Sequence, residues 1–352
     1  MKIATITVLV AFVIIAVIII VLFYQKGYRE STVPSYNSTP TYSTTTISVS
    51  KSYQIANITV GSHPAGVAYD ASNKYVYVVN SWSNTVSVIS GTSVIANVSV
   101  GMDPRAIAYN PSSDYIYVGN YENGSVSVIY GTSLIGTIQI NSAPVGFAYD
   151  NSSGQMYVAY CGSACGLGGS SGIYAIYGTK IVANITSSGL SPDSITYDPR
   201  YNYMYVGNFA DGTISIIALS NDTVISVLPI IAMAMTYNPS NGYIYAASFD
   251  NNTVSVISNN SILKKIAIGS GPRTIAFDSS NDQVYVADCG EGCGGVGKSG
   301  LAAISNSTLT ANITAGSAPL GLVYDSSDNY LYMANNDNAT VSVVSANFSS
   351  QS

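Results

Sequence analysis

The feature that most constrains this chain is a repeat of nearly constant length. Short apolar runs end on an aromatic at Tyr69, Tyr109, Tyr149, Tyr197, Tyr237, Phe277 and Tyr324, with spacings of 40, 40, 48, 40, 40 and 47 residues. Each period then carries a segment of alternating aromatics, as in Tyr75-Val-Tyr77-Val-Val-Asn80, Tyr115-Ile-Tyr117-Val-Gly-Asn120 and Tyr203-Met-Tyr205-Val-Gly-Asn208. A third segment alternates hydroxyl and aliphatic residues, as in Thr85-Val-Ser-Val-Ile89 and Thr340-Val-Ser-Val-Val344, and a fourth is exemplified by Val94–Val100 and Leu134–Ile140. A period of two marks strands with one buried face, and Gly-, Pro- and Asn-bearing turns separate them. Four such strands in about 40 residues make one blade of a β-propeller.

The first three strands occur seven times, but only six copies of the fourth lie between them. The missing one precedes the first blade, where Tyr53-Gln-Ile-Ala-Asn-Ile-Thr-Val60 fits the pattern and can pair into the last blade to close the ring. The expected fold class is therefore all-β, a seven-bladed propeller over residues 51–348 closed by an N-terminal strand. The repeat resembles the YVTN-type β-propeller repeats of archaeal and bacterial cell-surface proteins, here as Tyr77-Val-Val-Asn80, Tyr117-Val-Gly-Asn120 and Tyr205-Val-Gly-Asn208. Blades 3, 5 and 6 depart from it, reading Tyr157-Val-Ala-Tyr160, Tyr245-Ala-Ala-Ser248 and Tyr285-Val-Ala-Asp288. The resemblance spans roughly residues 53 to 345 and implies a fold and a surface location, with no catalytic residues. The repeated Tyr and Val side chains are expected to pack within and between blades.

Ahead of the repeat, Ile3 to Tyr24 is an uncharged apolar run, long enough as a helix to cross a hydrocarbon core of about 30 Å. Gln25-Lys-Gly-Tyr-Arg-Glu30 follows it in place of a small-x-small cleavage site, so residues 1–26 read as an uncleaved transmembrane anchor. Residues 27–50, rich in Ser, Thr and Tyr, read as a disordered stalk. Thirteen Asn-x-Ser/Thr triplets are present, at Asn37, Asn57, Asn97, Asn123, Asn151, Asn184, Asn221, Asn251, Asn259, Asn306, Asn312, Asn338 and Asn347. With paired cysteines they favour a glycosylated domain outside the cell on a single-pass membrane protein.

Up-and-down strands place the loops entering each first strand, and those between second and third strands, on one face. The other face carries short repeated turns such as Asp70-Ala-Ser-Asn73 and Gly91-Thr-Ser93 and reads as scaffold. The variation lies on the first face, including insertions at Cys161-Gly-Ser-Ala-Cys165 and Cys289-Gly-Glu-Gly-Cys293. Each Cys-x3-Cys pair is expected to form a local disulfide; one pair offers only two metal ligands, and the single His, His63, is in another blade. No metal and no cofactor are expected.

The first residues of the innermost strands, which ring the channel mouth, are Ala65, Arg105, Val145, Asp193, Met233, Arg273 and Leu320. Arg105, Asp193 and Arg273 could form an anion-binding or acid/base cluster there, with Asp103 and His63 in nearby loops and Asp288 and Glu291 on the same face; a ring of mutually neutralising ion pairs is the alternative. With 9% charged residues and a net charge of −6, clustered cations for nucleic acid are missing. One His cannot supply a copper or haem centre. The expectation is a non-enzymatic module binding a cell-surface protein or glycan, the other reading being a lactonase-like, metal-assisted hydrolase working at the channel mouth.

Overall fold

β-Branched and aromatic residues in alternation favour a pleated, half-buried backbone, and among the described residues they form 28 strands. The computed structural model describes residues 53–166, 171–185, 189, 191–294 and 297–346. β1 (Gln54–Thr59) comes first. Blade 1 holds β2 (Pro64–Asp70), β3 (Tyr75–Asn80), β4 (Thr85–Ser90) and β5 (Ser93–Ser99). Blade 2 holds β6 (Pro104–Asn110), β7 (Tyr115–Asn120), β8 (Ser125–Tyr130) and β9 (Ser133–Gln139). Blade 3 has β10 (Ala143–Asp150), β11 (Gln155–Cys161), β12 (Gly172–Tyr177) and β13 (Lys180–Ile185). Blade 4 has β14 (Pro192–Asp198), β15 (Tyr203–Asn208), β16 (Thr213–Ala218) and β17 (Thr223–Leu228). Blade 5 follows with β18 (Ala234–Asn238), β19 (Tyr243–Ser248), β20 (Thr253–Ser258) and β21 (Ser261–Ala267). Blade 6 comprises β22 (Pro272–Asp278), β23 (Gln283–Asp288), β24 (Gly300–Ser305) and β25 (Thr308–Thr314), and blade 7 adds β26 (Pro319–Asp325), β27 (Tyr330–Asn335) and β28 (Thr340–Ser345).

Every blade is a four-stranded antiparallel sheet, and the seventh has the order β1-β28-β27-β26. β1 thus supplies the outer strand that blade 7 lacks, in register from Gln54↔Val344 to Thr59↔Thr340. Consecutive innermost strands touch around the ring, and β26 touches β2. This is the closed seven-bladed propeller expected from the repeat. Among the described residues no helix is long and apolar enough to cross a membrane; the anchor and stalk expected over 1–26 and 27–50 lie outside the described residues.

The apolar core is divided into seven clusters, each lying between two neighbouring blades. The second-strand tyrosines are the largest fully buried side chains in it. Burying a phenol favours a hydrogen-bond partner for its hydroxyl, and four of these hydroxyls bond to a carbonyl of the next blade. Tyr77 donates to Gly131 O (3.0 Å), Tyr117 to Gly178 O (2.7 Å), Tyr285 to Ala346 O (2.7 Å) and Tyr332 to Gly91 O (2.9 Å). Burial pushes the Tyr77 and Tyr117 phenols up to about 12, so they stay neutral donors.

The Asn that ends the second strand has an equally definite task. Asn80 Nδ2 donates to Thr85 Oγ1 and Ser87 Oγ on the third strand, and Asn120, Asn208 and Asn335 repeat the arrangement. Gly61 and Gly101, in the loops leading to the first strands, lie flat on this amide: a Cβ on Gly101 would stand 2.5 Å from Asn120 Cγ. Thus the Gly-x-x-Pro and Tyr-x-x-Asn positions are two halves of one contact. On the opposite face, Asp70, Asp150, Asp278 and Asp325 accept the backbone N–H two residues on, which fixes the short turns read as scaffold.

Candidate functional site

The loop entering each blade except the fifth ends with a residue before Pro, and in several blades it is left-handed: His63 (φ 53°), Asp103 (φ 49°), Ser191 (φ 55°), Gly271 (φ 71°) and Ala318 (φ 46°). Non-glycine residues adopt this conformation at a cost of about 1–2 kcal/mol, so something must hold them there. The holding bond comes from the residue after the second-strand Asn or its counterpart. Ser81 N donates to His63 O (3.0 Å), Tyr121 N to Asp103 O (2.9 Å), Phe209 N to Ser191 O (2.9 Å) and Cys289 N to Gly271 O (2.9 Å). The two loops of a blade are thereby clipped together over the channel.

The clips surround a cavity of about 370 Å³ at the channel mouth. All seven first-strand residues read from the sequence line it: Ala65, Arg105, Val145, Asp193, Met233, Arg273 and Leu320. His63 and Asp103 join them, as do Ser81, Trp82, Tyr121 and Asn336 from the loops between second and third strands. Bonds between blades hold the wall: Ser81 Oγ donates to Pro104 O (2.7 Å), Asn336 Nδ2 to Pro64 O (3.2 Å) and Ser194 Oγ to Ala232 O (2.8 Å).

Charged and apolar side chains alternate around the mouth. Arg105, Asp193 and Arg273 come from blades 2, 4 and 6, with Ala65, Val145, Met233 and Leu320 on blades 1, 3, 5 and 7. Alternation keeps the three charges off neighbouring blades, which is why they do not form a mutually neutralising ring. Arg105 pairs instead with Asp103 on its own blade, Nη2 to Oδ2 at 2.6 Å, and its guanidinium lies 3.8 Å from the Tyr121 ring centre. Arg273 stands 5.8 Å from the Phe249 ring centre. Neither Arg273 nor Asp193 has an ion pair among the described residues. Asp193 is half open by area, yet enclosure by the channel wall pushes its carboxyl up, against the pull of Arg273 and Arg105.

The rim is aromatic, which the charged positions alone did not announce. Trp82, the chain's one tryptophan, is 72% exposed and stacks on His63, ring centres 3.4 Å apart. The signal for it was positional: residues one or two past the second-strand Asn or Ser are Trp82, Tyr121, Phe209 and Phe249.

Asp288 and Glu291 lie on this face but not among the cavity-lining residues. Glu291 is exposed on a one-turn 3₁₀ helix, Gly290–Cys293. Asp288 takes the place of the clamp Asn in blade 6, where Gly300 and Ala302 replace the hydroxyl partners. It is 2% exposed with Oδ1 unpartnered, and burial pushes its carboxyl up to about 7.

Both expected disulfides are present, Cys161–Cys165 and Cys289–Cys293, with Cα atoms 5.7 and 5.6 Å apart. The first of these loops buttresses the site: Tyr121 Oη donates to Cys165 O (3.3 Å) while its ring lies against Arg105. Among the described residues no three or more His, Cys, Asp or Glu side chains gather as a metal cage. The triplet asparagines within the described residues are all exposed, whereas buried Asn110 and Asn238 are each followed by Pro, which prevents glycan acceptance; Asn37 and Asn347 lie outside the described residues.

No family model matches the sequence, and no curated protein matches it. Solved structures do match in shape. They include the hydrazine synthase of Kuenenia stuttgartiensis (TM-score 0.70, 16% identity, 83% of this chain and 98% of that one). A streptogramin B lyase aligns at TM-score 0.68 and 13% identity over 82% of this chain and 96% of its own. The β-propeller domain of Cps50 (Swd1) from Myceliophteria thermophila aligns at 0.65 and 11% over 83% and 98%. Their names differ widely, and at these identities the likeness is one of fold: this chain is a seven-bladed β-propeller.

Proposed function

We propose that this propeller is a binding module of the cell surface, in the manner of the YVTN-type repeats its sequence resembles, with the channel-mouth cavity as its ligand site. In this reading Ile3–Tyr24 anchors the chain in the membrane, residues 27–50 form a stalk, and the exposed triplet asparagines carry glycans. The observation that carries the reading is that one cavity is lined both by the His63–Trp82 stack, an exposed aromatic platform, and by Arg273, a cation without an ion-pair partner among the described residues. Concave sites lined by aromatic and apolar side chains with a few fixed polar groups suit small ligands and ligand termini, and about 370 Å³ falls at the small end of their ~300–1,000 Å³ range. The charged set of the mouth offers two arginines, two aspartates and one histidine, from blades 1, 2, 4 and 6. That set suits contact with a polar ligand better than convergence on one reacting atom.

The test is crosslinking on intact cells, with mass spectrometry of linked, disulfide-bonded and glycosylated peptides. Reproducible links from the face of Arg105, Asp193 and the two cystine loops to one surface partner support the module. A lack of links combined with substrate turnover by the purified chain would overturn it in favour of the hydrolase reading.

A further inference from the structure

The ligand class follows from how charge is distributed at the mouth, and the inference rests on the binding-module reading above. Of the two arginines, Arg105 is already neutralised by Asp103 and covered on one face by Tyr121. Arg273 is half-buried, lines the cavity and has no carboxylate within ion-pair distance among the described residues. A partly desolvated guanidinium is a strong two-pronged site for a planar carboxylate. The same cavity is lined by apolar Val145, Met233 and Leu320 and, at the rim, by the indole of Trp82, one face of which rests on His63. A flat, exposed aromatic beside amide and hydroxyl groups matches the C–H face of a pyranose ring, whose hydroxyls need such partners.

We propose that the channel mouth binds the carboxylate-bearing end of an acidic saccharide, Arg273 holding the carboxylate, Trp82 covering the ring, and Asp193 setting the pH dependence. The titratable and charged groups lining the mouth are His63, Asp103, Arg105, Tyr121, Asp193 and Arg273; the first-strand residues of blades 3, 5 and 7 are Val145, Met233 and Leu320. Protonated, Asp193 offers a hydrogen bond and leaves the positive potential of Arg273 uncancelled. Ionised, it repels an anion in an enclosed site. The enclosure that pushes its carboxyl up shifts this change toward neutral pH, so affinity rises as pH falls.

The single tryptophan makes the site its own reporter. The purified full chain is titrated with glucuronate, glucose and glucosamine while Trp82 emission is excited where tyrosine does not absorb. The expected result is glucuronate binding about tenfold or more tighter than glucose, with affinity increasing as pH is lowered through the acidic range in which glucuronate itself stays ionised. Arg273→Gln loses about tenfold or more of that affinity. Asp193→Asn binds at neutral pH as the parent does in acid and flattens the pH profile, a change no loss of folding would produce. Equal binding of glucose, preference for glucosamine, or an unaltered affinity in a folded Arg273→Gln variant overturns the acidic-sugar assignment and leaves the binding module standing. Silence of Trp82 toward all three sugars overturns it too. The module falls with it only if the crosslinks from this face are also missing.

Discussion

The hydroxyl of Tyr332 in blade 7 donates to the carbonyl of Gly91 in blade 1 at 2.9 Å, across 241 residues of chain. The same bond links Tyr77 to Gly131 and Tyr117 to Gly178, so the ring closes with the fastening that joins its consecutive blades. Replacing any of these tyrosines by Phe removes one net hydrogen bond while leaving an exposed turn carbonyl to water. Each substitution is expected to lower unfolding stability by about 1 kcal/mol. Because the bonds lie far apart, combining Tyr77→Phe with Tyr332→Phe should give close to the sum, read as the shift in urea midpoint.

Gly101 and Gly91 test two different reasons for glycine. A Cβ at Gly101 meets the Asn120 carboxamide at 2.5 Å, while at Gly91 (φ 58°) it meets nothing within 4 Å. Gly101→Ala is therefore expected to cost about 2–3 kcal/mol through overpacking, and Gly91→Ala about 1 kcal/mol through left-handed strain. Adding Asn120→Ser should recover part of the Gly101→Ala loss and none of the Gly91→Ala loss. Equal losses in the two single variants would show that the steric account is wrong.

Asp288 gives stability a pH dependence of defined sign. Its buried carboxyl titrates near 7 in the folded chain and near 4 when unfolded. Between those values the folded state holds a proton that the unfolded state has released. Stability from this group is full below about pH 4, falls on the order of 1 kcal/mol per pH unit up to about 7, and is flat above. Asp288→Asn is expected to remove that slope and to raise stability at pH 8; Asp288→Asn with Ala302→Ser, which restores one of the two hydroxyl partners found in blades 1, 2, 4 and 7, should raise it further. Denaturation at several pH values reads the difference from the parent, and parallel curves would refute the assignment.

The cystine loops are short, so their contribution is local. A disulfide closing so small a loop stabilises by about 2 kcal/mol in the chain-entropy account. Cys161→Ser with Cys165→Ser should leave the propeller folded with a loss of that order. The Tyr121 ring loses a support held through Cys165 O, so the site should loosen, seen as weaker protection of Arg105 from guanidine-directed reagents. In the parent, denatured without reductant, thiol reagents should label nothing at the four cysteines, since all are paired.

The fold was legible because one physical pattern is written many times: Tyr at the second strand, Asn at its end and Gly before Pro recur at a fixed period. The channel-mouth ring was legible for the same reason, since the period names one residue per blade. What the period could not convey is pairing across blades. Arg105 is charged in the sequence and neutralised in the fold by Asp103, two positions away, while Arg273 has no such neighbour. Asp288 read as a candidate of the binding face, whereas the fold buries it opposite Gly300 and near Ala302, residues that matter by lacking a hydroxyl. Trp82 had a positional signal, as one of the aromatics just past the second strands, but its stacking is set by His63, whose backbone is left-handed.

The partnership of β1 with β28 also sets an order of events during synthesis. Asn57 and Ser342, hydrogen-bonded across that ladder, are 285 residues apart, so the strand that leaves the ribosome before blade 1 is the one that pairs last. Until β28 follows it, β1 has an open edge, and edges are where chains join wrong neighbours. Any interruption of translation short of blade 7 therefore yields a row of finished blades with an unmatched strand at one end. Quality control could recognise such a product by its exposed edge alone.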